Sequence, residues 1–531
     1  MKIVAMIALF IQAPVYLLAV GFKLWAFSEI LYKWNFPLSR IPGPKLASWT
    51  RLWWLRLVSR SQLDRDMIRL HREYGPVVRI APNSILISDP DTTRDVLAVG
   101  SRFKRGPWFD SLRLDPFTSN VVSERDPKKH QQLRAILAPG LSGNDIQDME
   151  STMDGYMAQY LQMIERKIET AHDKIADLDL STTIPLLTLD MITHLCLGES
   201  FGSIEHETDS FDFFKALNLG MLFQQYIAVL TEITTVLLGV GKLPWFRTRL
   251  FPKGSSSNGI GRVMLVSRNP QELTLEQCTE RESGVSKKDM LDSFLSRGLS
   301  VDQATSEVLI IITSGVGATS YAIQAVIKSI VADASVVHKL RDEVDGVVAT
   351  NPKYSLRQVP NSAIKKMPYL QACILEGLRI YPPVFSQLRE RVAPPEGVVL
   401  NGYAVPGGTY IGFNSIGSQL NHIYGDSVEE YHPERWLIDD EVQLKRMRRD
   451  LDLVFGHGNS KCLGINIANL ELNKIVVELF RTYDISFCNK DSPWKSRGDF
   501  VLTDFCVRLR RREGGSATNG VHHSEYRNNV F

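Results

Sequence analysis

One cysteine near the end of the chain lies in a stretch rich in glycine. The segment FGHGNSKCLG (455–464) contains Cys462 and three glycines. Glycine adopts positive φ angles and lets a flat ligand approach the main chain, because it has no Cβ. The sequence after it, 463–482, has apolar residues at spacings of three and four, which predicts a helix. A thiol just before a helix faces free N–H groups and the positive end of the helix dipole, and both favour the thiolate.

These properties fit an iron porphyrin held by a cysteine thiolate on its proximal side. The alternative is a buried structural cysteine in a turn. The chain has no CxxC pair and no histidine at zinc-ligand spacing, so a zinc ribbon or a CxxC redox site is not expected. Scattered cysteines in a large chain predict reduced thiols. The six cysteines are Cys196, Cys278, Cys373, Cys462, Cys488 and Cys506.

A second motif places an acid and a base on one face of a predicted helix. In QACILEGLRIYPP (371–383), Glu376 and Arg379 are three residues apart and can pair. Surface pairs of this kind contribute little to stability. Apolar residues on the flanking faces predict that this pair is buried, and a buried pair needs further partners to offset its desolvation. The segment YHPERW (431–436) offers one in Arg435.

The elements that must position these residues are mostly helical. With 531 residues, 44% hydrophobic residues and a net charge of +2, the chain can form a large core, and its charge gives no support for nucleic-acid binding. Alternating residues at 77–89, with Pro82-Asn83 at the turn, and at 397–413 predict short strands. Helical spacing occurs at 61–74, 127–137, 144–171, 184–197, 287–297, 301–333, 335–349, 367–380 and 463–482.

The first residues predict a membrane anchor. Between Lys2 and Lys23 lie twenty residues with Gln12 as the only strongly polar one, enough for a helix of about 30 Å. The segment is longer than the apolar part of a signal peptide. Basic residues are more numerous after it than before it, which predicts that the body is cytoplasmic. We therefore predict an anchor at 1–24, a proline-containing hinge at 25–47, a catalytic domain at 48–511 and a disordered tail at 512–531.

Taken in order, these motifs resemble the cytochrome P-450 family of haem-thiolate monooxygenases. The resemblance runs from the anchor and the hinge to a glycine-bearing distal helix, ExxR, PERW and the cysteine loop. Within the family, NVVSERDPKKHQQLR (120–134) and the cysteine loop look most like the filamentous-fungal branch that includes pisatin demethylase. The resemblance implies a mainly α cytochrome P-450 fold with small β-sheets, preceded by one N-terminal transmembrane helix.

The same resemblance implies roles for individual residues. Cys462 becomes the axial ligand of the haem iron. His130 and Arg134 match the HxxxR position that donates to a haem propionate, where a guanidinium can bond a carboxylate in bidentate fashion. The structural triad would be Glu376, Arg379 and Arg435. Further cofactor-binding positions would be Phe455, Gly456 and Gly464.

The cysteine loop departs from the family pattern at one position. The residue two before the cysteine is commonly Arg, and here it is Ser460. One propionate contact is then weaker or is supplied elsewhere, with His457 and Lys461 as possible substitutes.

The distal helix departs further. The family usually has an Ala/Gly-Gly-x-Asp/Glu-Thr-Thr stretch, whose acid and alcohol relay protons to dioxygen. In IITSGVGATSYAI (311–323), Gly317 stands at the acid position and Ala318 at the alcohol position. Moving the match by one residue places Thr319 at the alcohol position, again without a carboxylate. Proton delivery, typically worth about 10²–10⁴-fold in rate, then depends on Ser314, Thr319, ordered water or the substrate, so Ser314 and Thr319 are the candidate catalytic residues.

The resemblance predicts a membrane-anchored monooxygenase that oxidises a lipophilic secondary metabolite, such as a terpenoid or polyketide, in a fungal pathway by hydroxylation, epoxidation or multi-step oxidation. It implies haem b, dioxygen as co-substrate, and NADPH electrons from a separate reductase, because no flavin or nicotinamide fingerprint follows. The expected location is the endoplasmic reticulum membrane, spanned once by residues 3–22. The residues at 317 and 318 leave two alternatives open: an oxidative rearrangement, or a haem-binding protein without catalysis.

Two surfaces are expected to meet partners. Lys128, Lys129 and Lys461, with the segment 444–449, could form a positive patch for an acidic reductase. An apolar pocket is expected for the substrate. Its candidate contacts are Trp108, Phe109, Phe117, Met221, Phe223, Val384, Phe385, Val501 and Leu502.

Overall fold

The computed structural model describes most of the chain. The predicted anchor lies outside the described residues except for its last few positions, and residues 20–27 are helical. The predicted tail also lies outside them, except for residue 512. The described residues are 20–27, 30, 37–60, 62–114, 118–146, 148–241, 287–384, 388–491, 494–497 and 501–512.

Helices make up most of the described residues. In chain order they are α1 (Leu52–Val58), α2 (Leu63–Tyr74), α3 (Pro90–Leu97), α4 (Pro127–Ser142), α5 (Met149–Thr170), α6 (Leu180–Leu197), α7 (Ser203–His206), α8 (Phe213–Val229), α9 (Thr231–Gly241), α10 (Met290–Ser296), α11 (Val301–Val331), α12 (Ala334–Thr350), α13 (Lys353–Leu356), α14 (Asn361–Ile364), α15 (Pro368–Ile380), α16 (Ser415–Gln419), α17 (Glu441–Leu451) and α18 (Ile465–Thr482).

Twelve short strands within the described residues form four small sheets. A five-stranded sheet has the order β1-β2-β8-β5-β3, a three-stranded sheet has the order β4-β12-β9, and two further sheets pair β6 with β7 and β10 with β11. The strands are β1 (Val77–Ala81), β2 (Ser84–Ile87), β3 (Lys104–Arg105), β4 (Ile175–Asp179), β5 (Arg391–Val392), β6 (Val398–Leu400), β7 (Tyr403–Val405), β8 (Tyr410–Phe413), β9 (Tyr483–Phe487), β10 (Lys495–Arg497), β11 (Val501–Thr503) and β12 (Cys506–Arg511).

The long helix α11 forms the centre of the core. Ser300 caps its start at Val301, because the Ser300 hydroxyl accepts a hydrogen bond from Gln303 N–H. The helix packs against α6, α15 and α18. In the described part of the chain, α6 and α11 are long and apolar enough to cross a membrane, and a bent pair, α8 with α9, also passes that test. Within the protein, 72% of the apolar 18-residue segment of α6 is buried, and 83% of that of α11. These two helices are therefore the core that positions the site.

The predicted helices are present, with ends shifted by up to five residues. The helix predicted at 144–171 begins only at Met149, because Asp148 adopts a positive φ of 52°. The helix predicted at 184–197 begins earlier, at Leu180, where the Asp179 carboxylate accepts from Ser181 N–H. The hairpin predicted at 77–89 is present as β1 and β2. The sheet of β4, β12 and β9 was not predicted, because β4 pairs with a strand more than three hundred residues later.

Candidate active site

The loop before α18 is shaped by glycines with positive φ. The N–H of Cys462 donates to Phe455 O over 2.7 Å, which closes the loop. Gly456 has a φ of 78°, and a Cβ there would lie 2.4 Å from Ser460 O. Gly458 has a φ of 56°, and a Cβ there would lie 2.2 Å from the backbone of α3. Both glycines are thus required by the fold of the loop itself.

Gly464 differs from these two glycines. Its φ is −86°, and a Cβ would meet nothing within 4 Å. No neighbour among the described residues therefore requires glycine at 464. Cys462, two residues earlier, has an exposed surface although it lies deep in the fold. The space beside Cys462 and Gly464 could thus receive a flat group.

The Cys462 thiol has a raised pKa in the protein alone. Burial raises it, while the Gly464 N–H and the charges of Arg389 and Arg134 act in the opposite direction. The sequence predicted that the helix start would favour the thiolate; burial outweighs that contribution here. A bound cation that takes sulfur as a ligand would reverse the balance, because metal ligation requires the deprotonated thiol.

The structure brings Glu376, Arg379 and Arg435 together behind the loop. Glu376 is fully buried, and its carboxylate accepts from Arg379 Nε at 2.8 Å and from Arg435 Nε at 2.7 Å. It also accepts from His432 N–H and Trp436 Nε1. The remaining guanidinium protons of the two arginines go to backbone carbonyls of the segment 419–430. This network joins α15 to the segment that leads to the cysteine loop.

His130 and Arg134 lie on α4 and face the same space as Cys462. Burial lowers the pKa of Arg134, and the neighbouring Cys462 opposes this shift only in part. In the described part of the chain, neither side chain has a hydrogen bond or an ion pair with another residue. Burial and the charges of Arg105, Arg134 and Arg391 lower the pKa of His130 to about 3. With that pKa, His130 is neutral near pH 7, so the positive charge of α4 at this space is that of Arg134. A partly buried cation without a carboxylate is costly unless an anion neutralises it.

Two further arginines strengthen this excess of positive charge. Arg105 of β3 lies directly opposite Arg391 of β5 in the sheet register. Like charges at opposite positions destabilise a pair of strands. Their hydrogen bonds within the described residues go to neutral acceptors, which include Val122 O for Arg105 and Ser460 Oγ for Arg391. Burial and the neighbouring cations lower the pKa of Arg105 to about 9 and that of Arg391 to about 10.

Ser460 is therefore linked to a guanidinium from another element. Arg391 Nη2 donates to Ser460 Oγ over 2.6 Å. Lys461, one of the suggested substitutes, instead pairs with Asp452 at 3.2 Å on the outer side of the loop. His457 also lies near Asp452 and Lys461. The geometry thus favours Arg391 over His457 or Lys461 as the replacement for the missing arginine.

These residues fit a haem. The described residues around Cys462 combine a thiol, a glycine without close neighbours and three arginines from three elements, Arg134, Arg105 and Arg391, that form no ion pair with a described carboxylate. Haem carries two propionates, which would neutralise such cations through charge-assisted hydrogen bonds. The donor set therefore matches the group that the family resemblance implies.

The distal helix α11 presents Ser314 and Thr319 differently. Ser314 is exposed in the middle of an otherwise buried helix, whereas Thr319 is only 6% exposed. Ser314 Oγ donates to Ile310 O over 2.6 Å, so its hydroxyl proton is engaged and its lone pairs remain available. Ala318, one turn later, is half-buried. The accessible surface of the helix thus contains one hydroxyl, at Ser314.

The expected substrate contacts are only partly brought together. Trp108, Phe109 and Leu502 belong to one apolar cluster with Tyr321 of α11 and Leu388. Met221 packs against the main core instead, and Phe223 and Val384 are half-buried. Phe117, Phe385 and the Val501 side chain lie outside what the structure describes.

Two neighbouring cavities adjoin this cluster. One is lined by Trp108, Gln224, Gln225 and Val58 among others. The second also contains polar groups. Both share the walls Trp54, Ala228, Val229 and Leu388. The polar groups of the second are Arg51, Ser84, Thr231, Glu390 and Tyr410.

The expected positive patch is partly neutralised. Lys128 and Lys129 are exposed at the start of α4. Arg449 of α17 pairs with Asp91 at 2.6 Å, and Lys461 pairs with Asp452. Lys128, Lys129 and the exposed Arg446 and Arg448 of α17 form no ion pair within the part of the chain that the structure describes, so they carry the remaining positive charge of this surface.

Sequence reasoning missed Arg105, Arg389 and Arg391. Arg105 lies in a two-residue strand, and Arg389 and Arg391 follow α15. Arg389 acts electrostatically on the Cys462 thiol. Arg391 reaches the cysteine loop at Ser460, and Arg105 lies beside Arg391 through the pairing of β3 with β5. The only available signal was the presence of two arginines shortly after ExxR, which by itself is common.

Comparisons with known proteins agree with this site. The family model described as "Cytochrome P450" matches residues 42–505. The cytochrome P450 monooxygenase ABA1 of Pyricularia oryzae is 30% identical over 491 residues, covering 90% of this chain and 93% of that protein. The cytochrome P450 monooxygenase gsfF of Penicillium aethiopicum is 28% identical over 491 residues, covering 89% and 93%. With the thiol, the buried triad and the match over most of its length, the chain belongs to the cytochrome P450 family and is a monooxygenase.

Proposed function

We propose that this protein is a haem-thiolate monooxygenase that oxidises a lipophilic secondary metabolite, such as a terpenoid or polyketide, in a fungal biosynthetic pathway. The observation that carries the proposal is the cluster of Arg134, Arg105 and Arg391 beside the cysteine loop, which form no ion pair with a carboxylate among the described residues. The relatives are cytochrome P450 monooxygenases of filamentous fungi, which supports the class of reaction. The apolar cluster at Trp108 and Leu502 supports a lipophilic substrate.

In this proposal Cys462 holds the iron, and the basic residues hold the propionates. Arg134 and His130 come from α4, and Arg105 and Arg391 from the two facing strands. When bound, haem b supplies the activation of dioxygen with electrons from NADPH delivered by a separate reductase. Phe455, Gly456 and Gly464 shape the surface on the cysteine side.

Ser314 is the residue that we assign to proton delivery. Its hydroxyl donates to Ile310 O and can accept a hydrogen bond from a water molecule on the accessible surface of α11. Thr319 is buried, and its side chain is rotated by about 100° around the helix axis from that of Ala318. We therefore assign Thr319 to packing. A water molecule takes the role of the acid that the family usually has at position 317.

The partners follow from the same proposal. Lys128 and Lys129 form the exposed basic surface on α4 for the acidic reductase. The N-terminal apolar segment 3–22 anchors the protein in the endoplasmic reticulum membrane with the catalytic domain in the cytoplasm.

A carbon monoxide difference spectrum of the reduced protein tests the ligand. We expect the thiolate-type absorption in the wild type and its loss in Cys462→Ser. Cys488→Ser, a partly exposed cysteine elsewhere, is the control and should keep the spectrum. A wild-type protein that binds haem without this signal, or a Cys462→Ser variant that retains it, would contradict the proposal. Product formation from candidate metabolites with an added reductase then tests the substrate class.

A further inference from the structure

Two cysteines of the C-terminal sheet face each other across neighbouring strands. Cys488 follows β9 and Cys506 begins β12, and the register that pairs Val507 with Phe487 puts the two cysteines opposite each other. The N–H of Cys488 donates to Cys506 O over 3.1 Å, and the two Sγ atoms lie 2.6 Å apart. In a hydrogen-bonded antiparallel pair the Cα atoms are about 5.5 Å apart. This separation lies within the range that a disulfide requires, about 4.4–6.8 Å.

We propose that Cys488 and Cys506 form an oxidative modification site, at which hydrogen peroxide converts the two thiols into a disulfide. Peroxide oxidises the first thiol to a sulfenic acid and releases one water molecule. The second sulfur then displaces the hydroxyl group as a second water molecule. Two thiols and one peroxide thus give one disulfide and two water molecules, and the two electrons pass from the sulfurs to the peroxide.

The surroundings of the pair permit this reaction but do not make it fast. Both cysteines are partly exposed, so peroxide and a thiol reductant can reach them. Burial, Cys506 and Asp177 raise the pKa of Cys488 to about 12. The nearby Arg508 donates a hydrogen bond of 2.9 Å to Asp177. The thiolate is the reacting form. We therefore expect slow oxidation by peroxide and reversal by a dithiol.

The cross-link would restrain the hairpin of β10 and β11. The cysteines lie 18 positions apart, and the segment between them includes both strands. Within it, the Trp494 ring lies 6.2 Å from the Tyr321 ring of α11 and 5.1 Å from the Tyr381 ring. Leu502 packs in the same apolar cluster as Tyr321. Closing this segment limits the movement of the hairpin against α11. An effect on substrate binding rests on the proposed function, whereas formation of the disulfide does not.

Peptide mapping of the full-length holoprotein tests the site. The protein is treated with hydrogen peroxide, blocked with N-ethylmaleimide and digested without reduction. We expect a peptide that joins Cys488 to Cys506, about 2 Da lighter than the sum of the two thiol peptides, which disappears after dithiothreitol. The oxidised protein should also unfold at a temperature about 3 °C higher. This shift is the free energy gained by closing the loop, divided by the unfolding entropy of a domain of this size.

A register-shifted variant is the matched control. Ser486→Cys combined with Cys488→Ser keeps the number of thiols but moves one by two residues along β9, to an exposed position that pairs with Arg508. It should not cross-link to Cys506. The proposal is overturned if both wild-type cysteines remain fully alkylated after peroxide, or if the shifted variant cross-links as readily. A cross-linked protein without the rise in unfolding temperature would overturn the restraint of the hairpin.

Discussion

Replacing Glu376 with Gln should destabilise the protein far more than the loss of one ordinary ion pair. Its carboxylate is fully buried and accepts five hydrogen bonds: two from Arg379 and one each from His432 N–H, Arg435 and Trp436. Gln cannot accept at all these positions, because its NH₂ group is a donor. The two buried guanidinium groups would also lose their only neutralising charge in this network.

The expected cost is about 3–5 kcal/mol, the range for breaking a buried ion pair by removing one partner. With an unfolding entropy of about 2.1 cal/mol/K per residue and a domain of about 460 residues, this corresponds to a fall of about 3–5 °C in the unfolding temperature. Calorimetry or circular dichroism at a fixed scan rate measures it.

Glu434→Gln is the matched control. Glu434 lies in the same short segment as Arg435, but its side chain is 32% exposed and accepts from Lys339 Nζ and Tyr369 OH. An exposed pair contributes about 0–1 kcal/mol, so the unfolding temperature should fall by about 1 °C or less. Equal shifts for the two variants would refute the reasoning that burial makes the Glu376 network strong.

The network also predicts a sign for the pH dependence. Hydrogen bonds and charges from Arg379 and Arg435 outweigh burial and lower the pKa of Glu376 below its ordinary value of 4.5. Its contribution to stability is therefore present above pH 4.5 and is lost as the pH falls towards the lower pKa of the folded state. The difference in unfolding temperature between wild type and Glu376→Gln should thus decrease below pH 4.5.

Three further predictions concern single residues. Burial lowers the pKa of His71 from 6.5 to about 4, so between these pH values only the unfolded chain binds a proton there, and stability falls as the pH falls. His71→Gln should therefore reduce the loss of stability between pH 7 and pH 4, measured by urea titration, by up to about 3 kcal/mol. An unchanged loss would contradict this prediction. Gly456→Ala should lower the stability of the cysteine loop by roughly 1–3 kcal/mol. Gly464→Ala should leave the unfolding temperature of the haem-free protein unchanged but reduce the haem content, measured by absorbance. Equal haem content in Gly464→Ala and in the wild type would count against haem contact at this position. Ser314→Ala should lower product formed per NADPH consumed by roughly tenfold or more, while Thr319→Ala should not, and the reverse order would refute the assignment.

Local patterns in the sequence were enough for the residues whose partners are close in the chain. The loop that ends at Cys462 and the pair Glu376 and Arg379 can be recognised because their geometry depends on spacings of a few residues, and the long helices repeat every three or four residues. The helix ends were less well predicted, because a single capping side chain or one residue of positive φ, as at Asp148, sets them.

Only the tertiary structure decided which distant residues share the site. Arg105 and Arg391 meet because β3 pairs with β5, and Ser460 receives a donor from Arg391 rather than from a residue of its own loop. The choice between Ser314 and Thr319 depended on which side of α11 the neighbouring helices cover. Cys488 and Cys506 showed no motif in the sequence and became a pair through the register of β9 and β12. In each case the free energy of packing joins chain segments whose separation leaves no periodic or local signal.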